Sequence, residues 1–101
     1  MFARMQNRSL QIRSATPVDH ATFARLFPEL GVDDPVWEPP RFEAEMMPRM
    51  LVAEEDGAAL GYVYAFPIGE STHVSQLVVA PNARGRGVGR AQQGYGFTLA
   101  L

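Results

Sequence analysis

Apolar residues recur along the first third of the chain with the period of an amphipathic helix. Four of them are spaced i, i+3, i+4 and i+7, which places them on one helical face. Thr16 is predicted to cap the N-terminus of this helix, with Pro17 at its first position and Asp19 near the positive end of its dipole. Gly31 is placed where a C-terminal cap belongs. The buried face consists of Phe23, Leu26, Phe27 and Leu30.

Shorter apolar runs with a period of two predict strands in the rest of the chain. Prolines are expected to break regular structure between Val32 and Pro40, and a short second helix is expected to stop at Pro48. Two turns, at residues 55–57 and 68–70, separate the last three strands. The predicted strands are residues 9–13, 50–54, 59–67 and 72–79, and the second helix is residues 41–47.

The third of these strands shows the clearest alternation. Three aromatic residues are predicted to share one face, and Val63 and Ala65 the other. The aromatic residues are Tyr62, Tyr64 and Phe66. The element order is β-α-α-β-β-β followed by a final helix, without an internal repeat or a domain linker. We therefore expect a single α/β (α+β) domain over residues 1–101, with a mixed, mostly antiparallel sheet.

Composition excludes several classes of function. The 101 residues are 47% hydrophobic and carry a formal net charge of −2, which argues against a nucleic-acid-binding surface. Cysteine is absent and there are only two His residues, so we expect no disulfide, no thiolate nucleophile and no metal site. No stretch is apolar enough for a signal peptide or a membrane helix, and the expected location is the cytoplasm.

The most specific motif lies between residues 77 and 90. A continuous apolar run predicts a buried strand, and Pro81, which cannot donate to a ladder, ends it. Three glycines then allow tight turns and bare N–H groups, a following helix adds free N–H groups, and three arginines add positive charge. Such a loop is suited to binding phosphate. The strand contains Leu77, Val78 and Val79, and the loop contains Arg84, Gly85, Arg86, Gly87, Val88, Gly89 and Arg90.

Two common phosphate loops do not fit this motif. The dinucleotide fingerprint needs glycine at position 90 or 92, where the chain has Arg90 and Gln92, and a Walker loop needs lysine, which the chain lacks. The pattern R-x-x-G-x-G, formed by Arg84, Gly87 and Gly89 after a strand and a proline, resembles the acyl-CoA pyrophosphate loop of the GNAT superfamily of N-acyltransferases. The alternative interpretation is a flexible basic linker of the RGG kind.

The resemblance extends over about residues 9–91, is strongest over residues 50–91, and includes Gly61 near the start of the third strand. It implies a truncated GNAT-like fold that binds acetyl-CoA as cosubstrate and transfers acetyl to a primary amine by direct attack. The acceptor would be a small molecule or a peptide. The resemblance assigns the strand and loop residues 77–79 and 84–90 to the cofactor, with the backbone of Leu77 and Val79 near the thioester. Capping or ion pairing by Arg84 within the loop is an alternative to phosphate contact.

The family often places a Glu near this strand as general base. The candidates are Glu70, at the start of the fourth strand, and His73 within it, where an imidazole is well suited to accept a proton at neutral pH. Ser75 and Gln76 are candidates for ordering a water that relays the proton. Trp37 and Phe42 are predicted either to wall the acceptor site or to pack in the core.

After residue 91 the sequence departs from the family. The long helix and the C-terminal lobe expected there are replaced by residues 92–101, in which Gly94 and Gly96 disfavour a helix. We therefore expect an incomplete domain whose fourth strand is an open edge, and self-association to at least a dimer. Two alternatives to an enzyme remain: a non-catalytic acyl-CoA-binding or interaction module, and an α/β fragment whose loop binds any phosphate.

Overall fold

A computed structural model describes residues 10–85 and 87–92, apart from the side chain of Thr72. The predicted order of strands and helices is confirmed. Residues 88–92 are helical. The elements before them are β1 (Leu10–Ser14), a 3₁₀ turn (Pro17–Asp19), α1 (His20–Leu26), a second 3₁₀ turn (Phe27–Leu30), α2 (Pro39–Arg41), a π-helical turn (Phe42–Met46), a third 3₁₀ turn (Met47–Arg49), β2 (Met50–Glu55), β3 (Ala58–Ile68), β4 (Ser71–Val79) and a fourth 3₁₀ turn (Pro81–Ala83).

The four described strands form one sheet in the order β1-β2-β3-β4, and every neighbouring pair is antiparallel. The fold is therefore α+β. The turn between β2 and β3 has positive φ at Asp56 (52°) and Gly57 (84°), the backbone of a tight hairpin with the twist of its strands. Sequential antiparallel pairing puts β4 at an edge of the described sheet.

The second helical segment begins earlier than the sequence predicts. The prolines were expected to break regular structure as far as Pro40, yet Pro39 and Pro40 open α2. Proline is tolerated in the first turn because its missing N–H has no intrahelical acceptor to reach there. Pro48, expected to stop the segment, lies inside the third 3₁₀ turn, and the chain enters β2 two residues later.

An ion-pair network joins the start of the first helical segment to the sheet. Asp19 is only 3% exposed, and its carboxylate accepts hydrogen bonds from the Arg13 guanidinium at 2.8 and 2.9 Å and from the Thr16 backbone N–H at 2.7 Å. The same guanidinium pairs with Glu54 on β2. Burial favours the neutral acid, but these hydrogen bonds outweigh it and lower the pKa of Asp19. Gly31 ends the segment with a left-handed φ of 74°, as predicted.

The main core lies between the sheet and the helical segments. The predicted helical face is confirmed: Phe23, Leu26 and Phe27 are buried, and Leu30 packs at the margin. Phe23 stacks on Phe42 with ring centroids 5.4 Å apart and meets Tyr62 edge-on at 6.0 Å. The opposite face of the sheet carries a smaller cluster. It consists of Leu51, Val63 and Ala65 with Ile12, Val74 and Leu77 at its margin.

Within the described part of the chain, no helix has the length and apolar character needed to cross a membrane.

Candidate functional site

A β-bulge interrupts β4 in its middle. Ala65 on β3 pairs with Val74, but the preceding Tyr64 pairs with Gln76, so Ser75 is an extra residue. One extra residue reverses the inward and outward alternation of the strand beyond it. His73, Gln76 and Val78 therefore lie opposite Phe66, Tyr64 and Tyr62, on the face covered by the helical segments. The bulge thus brings polar side chains to one side of β4 and disrupts the ladder beside them.

The glycine-rich loop begins where β4 ends. Gly85 and Gly87 adopt left-handed φ values of 83° and 82°, and a Cβ built on either would have no neighbour within 4 Å. Glycine is needed here for backbone conformation, and the space beside the loop is open. The Ala91 N–H donates to the Gly87 carbonyl at 3.1 Å, so helical hydrogen bonding starts directly after the loop. Gly85 and Gly87 are thus exposed residues with a left-handed backbone, in the segment where the sequence predicts phosphate binding.

The Arg84 side chain stabilises this loop through a hydrogen bond and an ion pair. Its Nε donates to the Val79 carbonyl at 3.0 Å, and its Nη2 contacts Glu29 Oε1 at 3.1 Å. The guanidinium therefore joins the loop to the second 3₁₀ turn through an ion pair. A partner outside the loop, 55 residues away in sequence, was not foreseen.

The other residues assigned to the cofactor have mixed environments. The side chains of Val78 and Val88 are buried in the packing and are not available to a ligand. Leu77 and Val79 are partly buried, Gly89 is half-buried beside Val79, and Arg90 is exposed. Arg86 lies outside the described residues. These positions are consistent with a site built mainly from backbone.

The buried side-chain amide of Gln92, to which the sequence assigns no structural role, holds the helix after the loop. Gln92 is 0% exposed, and its Nε2 donates to the carbonyls of Tyr62 and Val78, both at 3.4 Å. A Cβ on Gly61 would approach Gln92 Oε1 and the Val78 carbonyl to 2.5 Å. Gly61 is therefore required for the close packing of this helix and β4 on β3.

A pocket of about 560 Å³ opens between the helical segments and the bulge in β4. Its polar lining residues are Asp34, Arg41, Ser75 and Gln76. Its apolar lining residues are Phe27, Leu30, Val32, Pro35 and Trp37. A cavity that combines apolar walls with convergent polar groups is typical of a small-molecule site.

The two predictions for Trp37 and Phe42 have different outcomes. Trp37 lines the pocket, whereas Phe42 is 0% exposed and belongs to the core. Trp37 is held from two sides: its carbonyl lies 2.7 Å from His20 Nε2, and the Arg41 guanidinium lies 3.9 Å above its ring.

The candidate bases lie outside the pocket lining. Glu70 is exposed in the turn between β3 and β4. His73 is exposed on β4, with its ring centroid 5.1 Å from that of Phe66. His73 nevertheless shares a face of the sheet with Gln76, because the bulge lies between them. Among the described residues, no group of three or more His, Asp or Glu side chains is arranged to hold a metal ion.

A bulged antiparallel strand that leads through a proline into a glycine loop defines the class of acyl-CoA-dependent acyltransferases that the motif resembles. The chain belongs to the acetyltransferase (GNAT) family, whose model matches residues 18–91. A search of curated proteins by sequence finds no significant match.

Solved structures support the same fold. A GCN5-related N-acetyltransferase from Kribbella flavida is 27% identical with a TM-score of 0.71, over 93% of this chain and 66% of that one. N-acetylglutamate synthase from Neisseria gonorrhoeae, complexed with coenzyme A and L-arginine, is 23% identical with a TM-score of 0.71, over 85% and 20%. Diaminobutyrate acetyltransferase from Paenibacillus lautus, in complex with L-2,4-diaminobutyric acid and coenzyme A, is 22% identical with a TM-score of 0.69, over 86% and 55%. The chain thus spans a fifth to two thirds of these structures.

Proposed function

We propose that this chain binds acetyl-CoA at the glycine loop and transfers the acetyl group to a primary amine bound in the pocket. The observation that carries the proposal is the continuity of the two sites along β4. The bulge at Ser75 borders the pocket, and the same strand ends at the loop that Gly85 and Gly87 bend outward. A cosubstrate extended along this strand would have its phosphates at the loop and its thioester at the bulge.

The loop provides what a pyrophosphate requires. Its bent backbone is exposed, the space beside Gly87 is open, and Arg90 adds a positive charge at the start of the following helix. Arg84 contributes differently, because its guanidinium is engaged by Glu29 and Val79 and so keeps the loop in place. The residues of the loop therefore fit the group that the family binds.

In the proposed reaction, the amine nitrogen attacks the thioester carbonyl carbon, the C–S bond breaks and coenzyme A leaves as its thiol. One proton leaves the amine and one reaches the thiolate, so the protein needs only to position the reactants and move a proton. Backbone N–H groups of β4 near Leu77 and Val79 would stabilise the oxyanion. His73 or Glu70, directly or through a water near Ser75 and Gln76, would accept the proton of the amine.

A second function, acyl-CoA binding without catalysis, is favoured by the exposed positions of both candidate bases. Neither His73 nor Glu70 lines the pocket. In both cases the chain is proposed to act in the cytoplasm as a self-associating protein, with no nucleic-acid or membrane partner.

Calorimetry with acetyl-CoA, coenzyme A and inorganic phosphate, combined with an assay of thiol release in the presence of amines, tests the proposal. Binding of acetyl-CoA with thiol release supports the transferase, and binding without release for any amine supports the binding module. Equal affinity for acetyl-CoA and phosphate would contradict both.

A further inference from the structure

The buried hydroxyl of Tyr62 orients the side-chain amide of Gln76. Tyr62 is 0% exposed, and its OH donates to Gln76 Oε1 at 2.7 Å. Burial raises the pKa of Tyr62 well above its usual value, so the hydroxyl stays protonated and acts as a donor. Because the carbonyl end of the amide is engaged, its NH₂ end is the half that is free to donate. Gln76 therefore contributes a hydrogen-bond donor to the pocket it lines.

The pocket also contains a cation from a different element. The Arg41 guanidinium lies over the Trp37 ring, and its Nε contacts Glu45 Oε2 at 3.3 Å. No acceptor among the described residues engages its terminal nitrogens. The planar guanidinium, held by the ring and by Glu45, is suited to paired hydrogen bonds with a carboxylate. His20 in turn contacts the carbonyl of Trp37, the residue whose ring the cation covers.

The charges of the pocket match a zwitterion. Arg41 and the Gln76 amide are donors, whereas Asp34 is the acidic residue in the lining. A simple amine would leave the terminal nitrogens of Arg41 and the Gln76 amide without an acceptor among the described residues, and an anion without an amine would offer no partner to Asp34. Most of the remaining lining is apolar.

We propose that the acceptor is an amino acid with an apolar side chain, whose carboxylate is bound by Arg41 and Gln76. This inference rests on the proposed function, because it specifies the acceptor of that reaction. Tyr62 is a positioning residue that acts through Gln76, and it does not touch the acceptor.

The test compares leucine with isopentylamine, and phenylalanine with phenethylamine, since each pair differs only by the carboxylate. Calorimetry with the full chain, with and without coenzyme A, measures binding independently of turnover. We expect the amino acid to bind at least ~10-fold more tightly than its amine, the effect of one charge-assisted hydrogen bond or more. Arg41→Gln and Gln76→Leu should reduce this ratio to about 3 or less.

Arg49→Gln is the matched control, because Arg49 is an exposed arginine outside the pocket lining. It should leave the ratio unchanged. Tyr62→Phe should lower the ratio while the affinity for the amine stays constant, which general loosening of the core would not do. Equal affinity for both members of each pair, no binding of either, or a ratio insensitive to Arg41→Gln would overturn the inference. Failure of the proposed function is distinguishable, since acetyl-CoA binding and thiol release are measured separately.

Discussion

Replacing Gly87 with valine is the most direct perturbation of the candidate cofactor loop. Gly87 has a φ of 82°, and a Cβ there would point into open space. If that space holds phosphate oxygens, the valine side chain will occupy it and move the backbone N–H groups out of reach. Gly57 in the β2–β3 turn offers a matched control, because its φ is 84° and a Cβ there also meets nothing within 4 Å.

The two substitutions carry the same intrinsic cost. A non-glycine residue in the left-handed region costs roughly 1–3 kcal/mol, so both variants should lose similar stability. A charge-assisted hydrogen bond is worth about 1.5–3 kcal/mol, which corresponds to roughly 10- to 100-fold in affinity. We therefore expect Gly87→Val to weaken coenzyme A binding at least ~10-fold, and Gly57→Val to change it less than about twofold.

Isothermal titration calorimetry with coenzyme A measures these affinities, and urea unfolding of each variant shows how much folded protein is present. Gly89→Val is expected to act in the same direction as Gly87→Val. Unchanged coenzyme A affinity of the folded Gly87 variant would refute the placement of the phosphates at this loop. Equal loss in both would mean that destabilisation, and not the ligand, accounts for the effect.

Four further outcomes are expected. Gly61→Ala should lower the free energy of unfolding by about 1–3 kcal/mol, because the new Cβ would overlap the β4 backbone. Gly89→Ala should cost less, because a Cβ there lies 3.5 Å from the Val79 side chain. Equal urea midpoints of the two variants would contradict this. Hydrogen bonds lower the pKa of Asp19 in the folded protein, so its carboxylate stabilises the fold above about pH 4. This stability is lost as the pH falls through the folded-state pKa of Asp19. The free energy of unfolding should therefore depend less on pH in Asp19→Asn. His73→Ala should lower kcat with little change in acetyl-CoA affinity; an unaltered pH–rate profile would assign proton transfer elsewhere. Sedimentation at micromolar concentration should show at least a dimer, formed by strand pairing or by exchange of the C-terminal segment, and a cooperatively melting monomer would rule this out.

Elements determined by local pattern were predictable from the sequence. The face of α1, the hairpin at Gly57, the end of β4 before Pro81 and the bent loop at Gly87 depend on residues close together in the chain. These features follow from periodicity, from the restricted φ of proline and from the permissive φ of glycine. The candidate cofactor loop was therefore recognisable before any three-dimensional information.

Contacts between distant residues were not predictable in the same way. The ion pair of Arg84 with Glu29 and the insertion of Gln92 beside Gly61 depend on how separate elements pack. Nothing in the local composition distinguishes Glu29 from other surface acids, or Gln92 from an exposed glutamine. Gly61 carried the only signal, since a glycine inside a strand indicates close approach of another backbone.

The bulge at Ser75 explains why His73 and Gln76 lie on the same face of the sheet. In a regular strand, residues three apart point to opposite faces, so His73 and Gln76 would be separated by the sheet. The extra residue restores them to one face and keeps Val78, two residues further on, in the core that holds α1. Without it, His73 would lie on the face opposite Gln76 and Val78. Because of the single inserted residue, His73, Gln76 and the buried Val78 share the face that the helical segments cover. They do so on the strand that leads to the glycine loop.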